Sequence, residues 1–155
     1  MDFTLFHALL FVHIIAAAIW IGGALVGMLI GIFLAKQGDA DVMSRFCTAF
    51  ATIAGPVFGG SAMVVLGTGI WMVADSPSIE FSELWVTLGF VGWLVATVMG
   101  ATVVGMTWTR VGKLLREPGA TIEGVQSTLT KAVRLTWIDL TIRIAVVLVM
   151  VWRPT

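Results

Sequence analysis

Three ionisable side chains of this 155-residue chain stand inside strongly apolar runs. Charge-bearing groups in such surroundings are costly enough to be read first as functional sites. His13 lies in the run from Phe3 to Phe33, in the phrase His13-Ile14-Ile15-Ala16-Ala17-Ala18-Ile19-Trp20-Ile21-Gly22-Gly23. A neutral imidazole there is a metal ligand, a proton relay or a hydrogen-bonded packing residue. Asp139 and Arg143 lie in Trp137-Ile138-Asp139-Leu140-Thr141-Ile142-Arg143-Ile144. They are four residues apart, acid first, the favourable order for a pair on one helix face. The pair reads as a register-fixing salt bridge, an anchor for a cofactor's propionates, or part of a proton or anion path. Trp20 follows His13 by seven residues and shares its face. His7 is six residues before His13, about 120° around the helix, and reads as an interfacial polar residue or a second contact.

The elements that position these groups follow from composition. The chain is 59% hydrophobic and 12% charged, with a mean hydropathy of +1.02. Soluble domains run nearer half apolar and a quarter charged, so the bilayer must be the solvent. Tyrosine is absent and there are seven tryptophans, the residue of membrane interfaces. The single cysteine, Cys47, excludes an internal disulfide and a covalent c-type haem site. Asp2 precedes the first apolar run and no basic residue occurs before Lys36, so the start does not read as a cleavable signal peptide.

A spanning helix needs about 20 apolar residues, and four segments meet that requirement, about 4–34, 47–74, 84–108 and 133–152. Gln37-Gly38-Asp39, Asp75-Ser76-Pro77-Ser78 and Glu117-Pro118-Gly119 separate them, and a helix restarts near Thr121. Lys36, Arg45, Arg110, Lys113, Arg116, Lys131 and Arg134 fall on one side and only Arg153 on the other. The positive-inside rule then places both termini outside the cytoplasm. Short connections make neighbours antiparallel. The expected fold is all-α, a single domain over 1–155 forming a four-helix antiparallel transmembrane bundle in the bacterial cytoplasmic membrane. The basic 110–131 loop is expected to meet anionic headgroups or, less simply, a partner.

At about 1.5 Å per residue, His13 lies roughly 12 Å below the outer boundary, Arg143 about 13 Å and Asp139 about 20 Å. A cluster of His13, Arg143 and Asp139 in the outer half is expected, with Trp93 and Met63 near its level. Met63 is the one methionine considered as a second axial ligand, on depth alone. Gly23, Gly27 and Gly31 form one ridge, and Gly55/Gly59 and Ala96/Gly100 repeat the spacing. Such stripes serve packing within the bundle, a homodimer seam, or room for a flat cofactor. Gly59, Gly60, Gly67 and Gly69 favour the last slightly. Pro56 should kink the second helix.

The phrase His13 to Gly23, the segment Pro56 with Gly67-Thr68-Gly69-Ile70-Trp71, and the ending Met150-Val151-Trp152-Arg153-Pro154 together resemble a superfamily of small bacterial membrane proteins. It includes CopD-type copper-resistance domains and HemJ-type protoporphyrinogen oxidases. Over its full length the chain is most similar to a predicted integral membrane family of unknown function within that group. The resemblance implies that His13 binds haem b. In the HemJ-type enzymes a lysine from a later helix is the second ligand. Here no span holds a lysine, Thr87 and Gly89 stand where it would be sought, and Arg143 stays protonated and cannot ligate.

Two expectations result. The first is a haem b-binding membrane protein with an electron-transfer, redox or haem-handling role. His13 would be the metal ligand, Trp20, Met63, Arg143 and Asp139 its surroundings, and a redox partner or membrane complex its counterpart. The second is a cofactor-free subunit or small transporter using His13 and Asp139/Arg143 as structural or proton-relay groups. Copper handling ranks third, since soft-ligand clusters are missing. No hydrolytic nucleophile–base pair or carboxylate dyad is apparent, the sequence leaves open whether the protein is an enzyme, and nothing points to nucleic acid.

Overall fold

The computed structural model describes residues 3–154. Its described residues are helical with short connections and contain no strand. Four long helices make the fold: α1 (Phe3–Gln37), α2 (Ala40–Ala74), α3 (Leu84–Leu114) and α4 (Glu123–Trp152). Each is long and apolar enough to cross a membrane. Consecutive helices fold back on one another, so the bundle has one end carrying both termini and one carrying the α1–α2 and α3–α4 turns, here the basic end.

Two boundaries differ from those expected from hydropathy. The α1–α2 break is only Gly38-Asp39, and α2 starts at Ala40 rather than near 47. Gly38 takes a positive φ of 77°, which glycine adopts without steric cost. Asp39 then caps α2, its carboxylate accepting from the backbone N–H of Asp41 and Val42 at 3.0 Å each. Similarly, α4 begins with a 3₁₀ turn at Glu123–Val125 and continues as α-helix from Gln126, well before 133. These added turns are polar on one face, so an apolar-run count misses them.

Pro56 does not simply kink α2. The helix absorbs it in a π turn, Gly55–Gly59, and continues to Ala74. A second π turn, Gly100–Val104, interrupts α3 at the matching depth. Each π turn inserts a residue into the helical period, a feature that tends to mark functional positions.

Three apolar layers hold the helices together. At the basic end Met43, Cys47, Val111, Leu115, Ile122, Val125, Leu129 and Ala132 form the largest. Trp20, Ala62 and Ala96 form the middle layer, flanked by Phe58, Trp93 and Ile142. Val73, Trp85 and Val86 form the third, at the end that carries the termini. In that terminal half α1 packs on α2 and α3 on α4, while α2 and α3 touch little. The Trp93 indole bridges them by donating to the Ala62 carbonyl at 2.9 Å. Outside, Phe11, Ile14, Phe33, Leu94, Val98 and Leu148 are all exposed, as lipid-facing side chains must be.

The glycine ridge of α1 is filled from within the chain. Gly23 receives the ring of Phe58, Gly27 that of Phe50, and Gly31 that of Trp108. Aromatic rings rather than a second backbone use the space.

Candidate functional site

Between the middle and terminal layers lies a cavity of about 500 Å³. Its walls are Trp20, Trp85, Trp93, Phe90, Gly69 and aliphatic side chains, with His13, Arg143 and Arg153 as the charge-bearing or titratable members. All four helices contribute.

His13 stands on the α1 wall. Its Nδ1 lies 2.8 Å from Thr68 Oγ1 on α2. The Thr68 hydroxyl donates to the Val64 carbonyl at 2.6 Å, the usual bond of a helical threonine to the preceding turn. With that proton directed at Val64, Thr68 Oγ1 is placed to accept from His13 in the tautomer that carries its proton on Nδ1 and its lone pair on Nε2, and the Val65 backbone is a second partner of the ring. Gly69 lies beneath the ring, since a Cβ there would stand 3.5 Å from His13 Cε1.

The floor of the cavity is Trp20 with Arg143. The Arg143 guanidinium lies 4.4 Å from the centroid of the Trp20 ring. Its Nη1 donates to the Trp20 carbonyl at 2.6 Å, and its Nη2 meets Asp139 Oδ2 at 2.6 Å. The pair is almost completely buried, with side-chain exposure of 5% for Arg143 and 1% for Asp139. Gly100, in the π turn of α3, makes this possible, because a Cβ there would sit 2.6 Å from Arg143 Nη2. Asp139 lies beyond the floor and does not line this cavity.

At the mouth, α4 ends with Arg153 in the left-handed conformation, φ 49°, followed by Pro154. The Arg153 N–H donates to the Val149 carbonyl at 2.9 Å. The guanidinium lies 5.1 Å from the Trp85 ring centroid. Trp85 in turn donates its indole N–H to Glu83, whose other oxygen accepts from the Glu80 N–H at 3.0 Å. Those two bonds, the Glu80 N–H first, hold the Glu83 carboxyl below its ordinary range, and Arg153 adds to the effect.

The sequence expectation thus meets the structure unevenly. Arg143 and Asp139 pair, Trp20 joins them, and His13 faces the same cavity as Trp20 and Arg143. Met63 does not join them. It is 58% exposed on the outside of α2 while its neighbour Ala62 is fully buried. Depth alone chose Met63, and depth does not fix the direction around a helix that a π turn has rephased. The methionines on the cavity wall are Met72 and Met150. His7 is exposed near the start of α1, edge-on to Phe6 at 5.9 Å. Thr68, Gly100 and Arg153 were not singled out from sequence as site residues. Among the described residues no three His, Cys, Asp or Glu side chains cluster as a metal site.

The model of a family described as a predicted integral membrane protein (DUF2269) matches residues 7–154. The chain belongs to that family. No curated protein and no solved structure matches the chain. The DUF2269 chain is therefore a multi-pass integral membrane protein, as its four spans require.

Proposed function

We propose that this DUF2269 protein binds haem b in the cavity at its terminal end, with His13 Nε2 as an axial ligand, and serves electron transfer, redox chemistry or haem handling. One observation carries the reading: His13 stands on the wall of a large apolar cavity with Thr68 Oγ1 2.8 Å from its Nδ1, the placement that would leave the Nε2 lone pair for a metal. Ligating histidines are oriented by this kind of outer hydrogen bond.

The residues present fit the group. A volume of about 500 Å³ lies within the range of cofactor pockets, about 300–1,000 Å³. Trp20, Trp85, Trp93 and Phe90 offer flat apolar walls that exclude water. Arg143 is already held by Asp139 and the Trp20 carbonyl. The cation left to meet a propionate is therefore Arg153, at the mouth. Met72 and Met150 line the cavity and would be the thioethers available to a bound haem, whereas Met63 faces outward. Bound haem supplies one-electron redox chemistry, and the chain sets its ligand, dielectric and access. The resemblance to CopD-type and HemJ-type proteins supports the same reading. By the positive-inside rule the basic end is cytoplasmic, so a redox partner would approach from the extracytoplasmic face of the bacterial inner membrane.

The test is the visible spectrum of protein purified in mild detergent from cells supplied with haem precursor, oxidised and then reduced with dithionite. The expected result is a Soret band that shifts on reduction and is lost in His13→Ala. Thr68→Val, which keeps Nε2 but removes the Nδ1 partner, should weaken haem affinity about 10–100-fold. A flat spectrum from folded protein overturns the proposal. A second reading is a cofactor-free membrane subunit in which the same polar groups are structural. It is favoured by the way His13–Thr68 ties α1 to α2 while Arg143 ties α4 to α1. It predicts loss of stability in His13→Ala with no spectral change.

A further inference from the structure

A second cavity, of about 770 Å³, lies on the other side of the Trp20–Arg143 layer, toward the basic end. All four helices line it, but unequally. The residues from α1 and α4, such as Met28 and Thr136, are buried or half-buried. The exposed ones all come from α2 and α3. On α2 they are Ala51, Gly55 and Gly59, four apart and so on one stripe. On α3 they are Ala101, Met106, Arg110 and Lys113, five apart across the π turn and then four and three. The cavity is therefore a slot that opens sideways between α2 and α3, toward the bilayer.

The slot has a closed foot, an aromatic floor and a charged end. At the foot α2 and α3 are in close contact. The Ser44 hydroxyl donates to the Gly112 carbonyl at 3.0 Å, and a Cβ on Gly112 would lie 2.7 Å from Cys47 Cβ. The floor is a row of rings, Phe46, Phe50 and Phe58, with successive centroids 5.5 and 5.6 Å apart. Along the α2 edge, Gly55 and Gly59 have nothing within 4 Å of where a Cβ would stand. An apolar space open to hydrocarbon is filled by hydrocarbon, since leaving it empty would forfeit the dispersion contacts of its walls. From Gly100 to Arg110 the helix rises about 15 Å, one leaflet's share of a hydrocarbon core about 30 Å thick. Arg110 and Lys113, three residues apart on one face, then stand at headgroup level. Among the described residues the ion pairs are Arg45–Asp41 and Arg143–Asp139, so no carboxylate neutralises either cation.

We propose that this slot binds an anionic phospholipid from the leaflet at the basic end, with one acyl chain lying between α2 and α3 and the phosphate meeting Arg110 and Lys113. Basic residues beside a gap between membrane helices are a recurring setting for such headgroups. The match of slot length to leaflet depth selects an acyl chain, and the unpaired cations select a negative headgroup. The two π turns supply the width, since they line the slot through Gly55, Gly59, Gly100 and Ala101. The site goes beyond haem binding and stands whatever occupies the outer cavity.

The experiment is native mass spectrometry of the full chain in mild detergent, titrated with phosphatidylglycerol or with phosphatidylcholine of the same acyl chains. The expected result is a phosphatidylglycerol adduct about 25-fold tighter than the phosphatidylcholine one, about fivefold for each of the two cations. The double variant Arg110→Gln/Lys113→Gln, at two exposed positions, should lose that preference. Gly59→Leu puts a side chain into the slot and should weaken both lipids several-fold. Gly60→Leu, exposed but outside the slot, should bind as wild type does. Inorganic phosphate should not displace the lipid. The charge variant decides the matter should Gly59→Leu fail to fold. Equal affinity for the two lipids overturns the proposal, as does a wild-type preference in the charge variant. So does a folded Gly59→Leu that binds like wild type, or a Gly60→Leu that binds as weakly as Gly59→Leu. Displacement by inorganic phosphate would make the cations a free-anion site instead. A dimer that forms on removing lipid and is lost in Gly59→Leu would assign the slot to a second copy of the chain, and either result overturns the lipid site.

Discussion

Replacing Gly100 with alanine tests whether the Arg143–Asp139 pair is held as tightly as the geometry implies. The added Cβ would lie 2.6 Å from Arg143 Nη2 and 3.7 Å from both Asp139 oxygens. Reaching the 3.4 Å where ordinary contact begins requires the guanidinium to retreat about 0.8 Å, an overpacking of the kind that costs roughly 1–3 kcal/mol. Retreat has no easy direction, because Nη1 is bonded to the Trp20 carbonyl at 2.6 Å and Cζ lies over the Trp20 ring, 4.4 Å from its centroid. A lost hydrogen bond from a charged donor adds about 1.5–3 kcal/mol. Alanine's better helix propensity offsets about 0.8–1 kcal/mol. The net expectation is destabilisation of about 1.5–5 kcal/mol. Gly60→Ala is the control, since nothing lies within 4 Å of a Cβ there. It gains the propensity term alone and should be neutral or slightly stabilising. Both can be followed by tryptophan fluorescence during unfolding in mixed detergent micelles. A Gly100→Ala protein as stable as Gly60→Ala would refute the claim that the pair is rigidly seated.

The mouth of the outer cavity should respond to acid. Glu83 has a depressed folded pKa, so its bonds to Glu80 and Trp85 are present above the unfolded value of about 4.3 and are lost as pH falls through the lower folded value. Trp85 emission should change over that acid window in wild type and not in Glu83→Gln, and a change centred near neutrality would contradict the assignment. The ion pair itself should show strong non-additivity. Asp139→Leu or Arg143→Met alone leaves a buried unpaired charge at a cost of about 3–5 kcal/mol, whereas the double variant should be close to wild type in unfolding free energy. Additive losses would mean that the two side chains do not act as a unit.

Much of the fold was legible because four long apolar runs can be placed in a bilayer in few ways. The Asp139–Arg143 pair was legible because its partners are four residues apart on one helix. What was missed depends on direction or on tertiary placement. Thr68 looks like any helical threonine bonded to its own preceding turn, as it is through Val64. Only the packing of α1 on α2 brings His13 to the same oxygen. Arg153 is one residue past the end of a helix, and its left-handed backbone, which no local signal announced, turns its guanidinium over Trp85. Met63 was placed by depth, but the π turn at Gly55–Gly59 inserts a residue upstream and changes which side chains of α2 face inward. The π turn at Gly100 was equally silent in sequence, although it is what admits the guanidinium.

The layer of Trp20, Arg143 and Asp139 is an expensive way to fill the middle of a bundle. Apolar side chains of similar volume would pack the same space without desolvating two charges, and such replacements are often neutral or stabilising. Here the pair also demands a glycine in a π turn and leaves buried polar atoms without protein partners. Packing alone does not account for that combination. A charged layer differs from an apolar one in having a second state, reached when a proton neutralises Asp139 or when an anionic group competes for Arg143. Trp20 and Arg143 line a cavity on each side, with His13 on the wall of one, so a change of state in the layer would be felt at the wall of the proposed haem site.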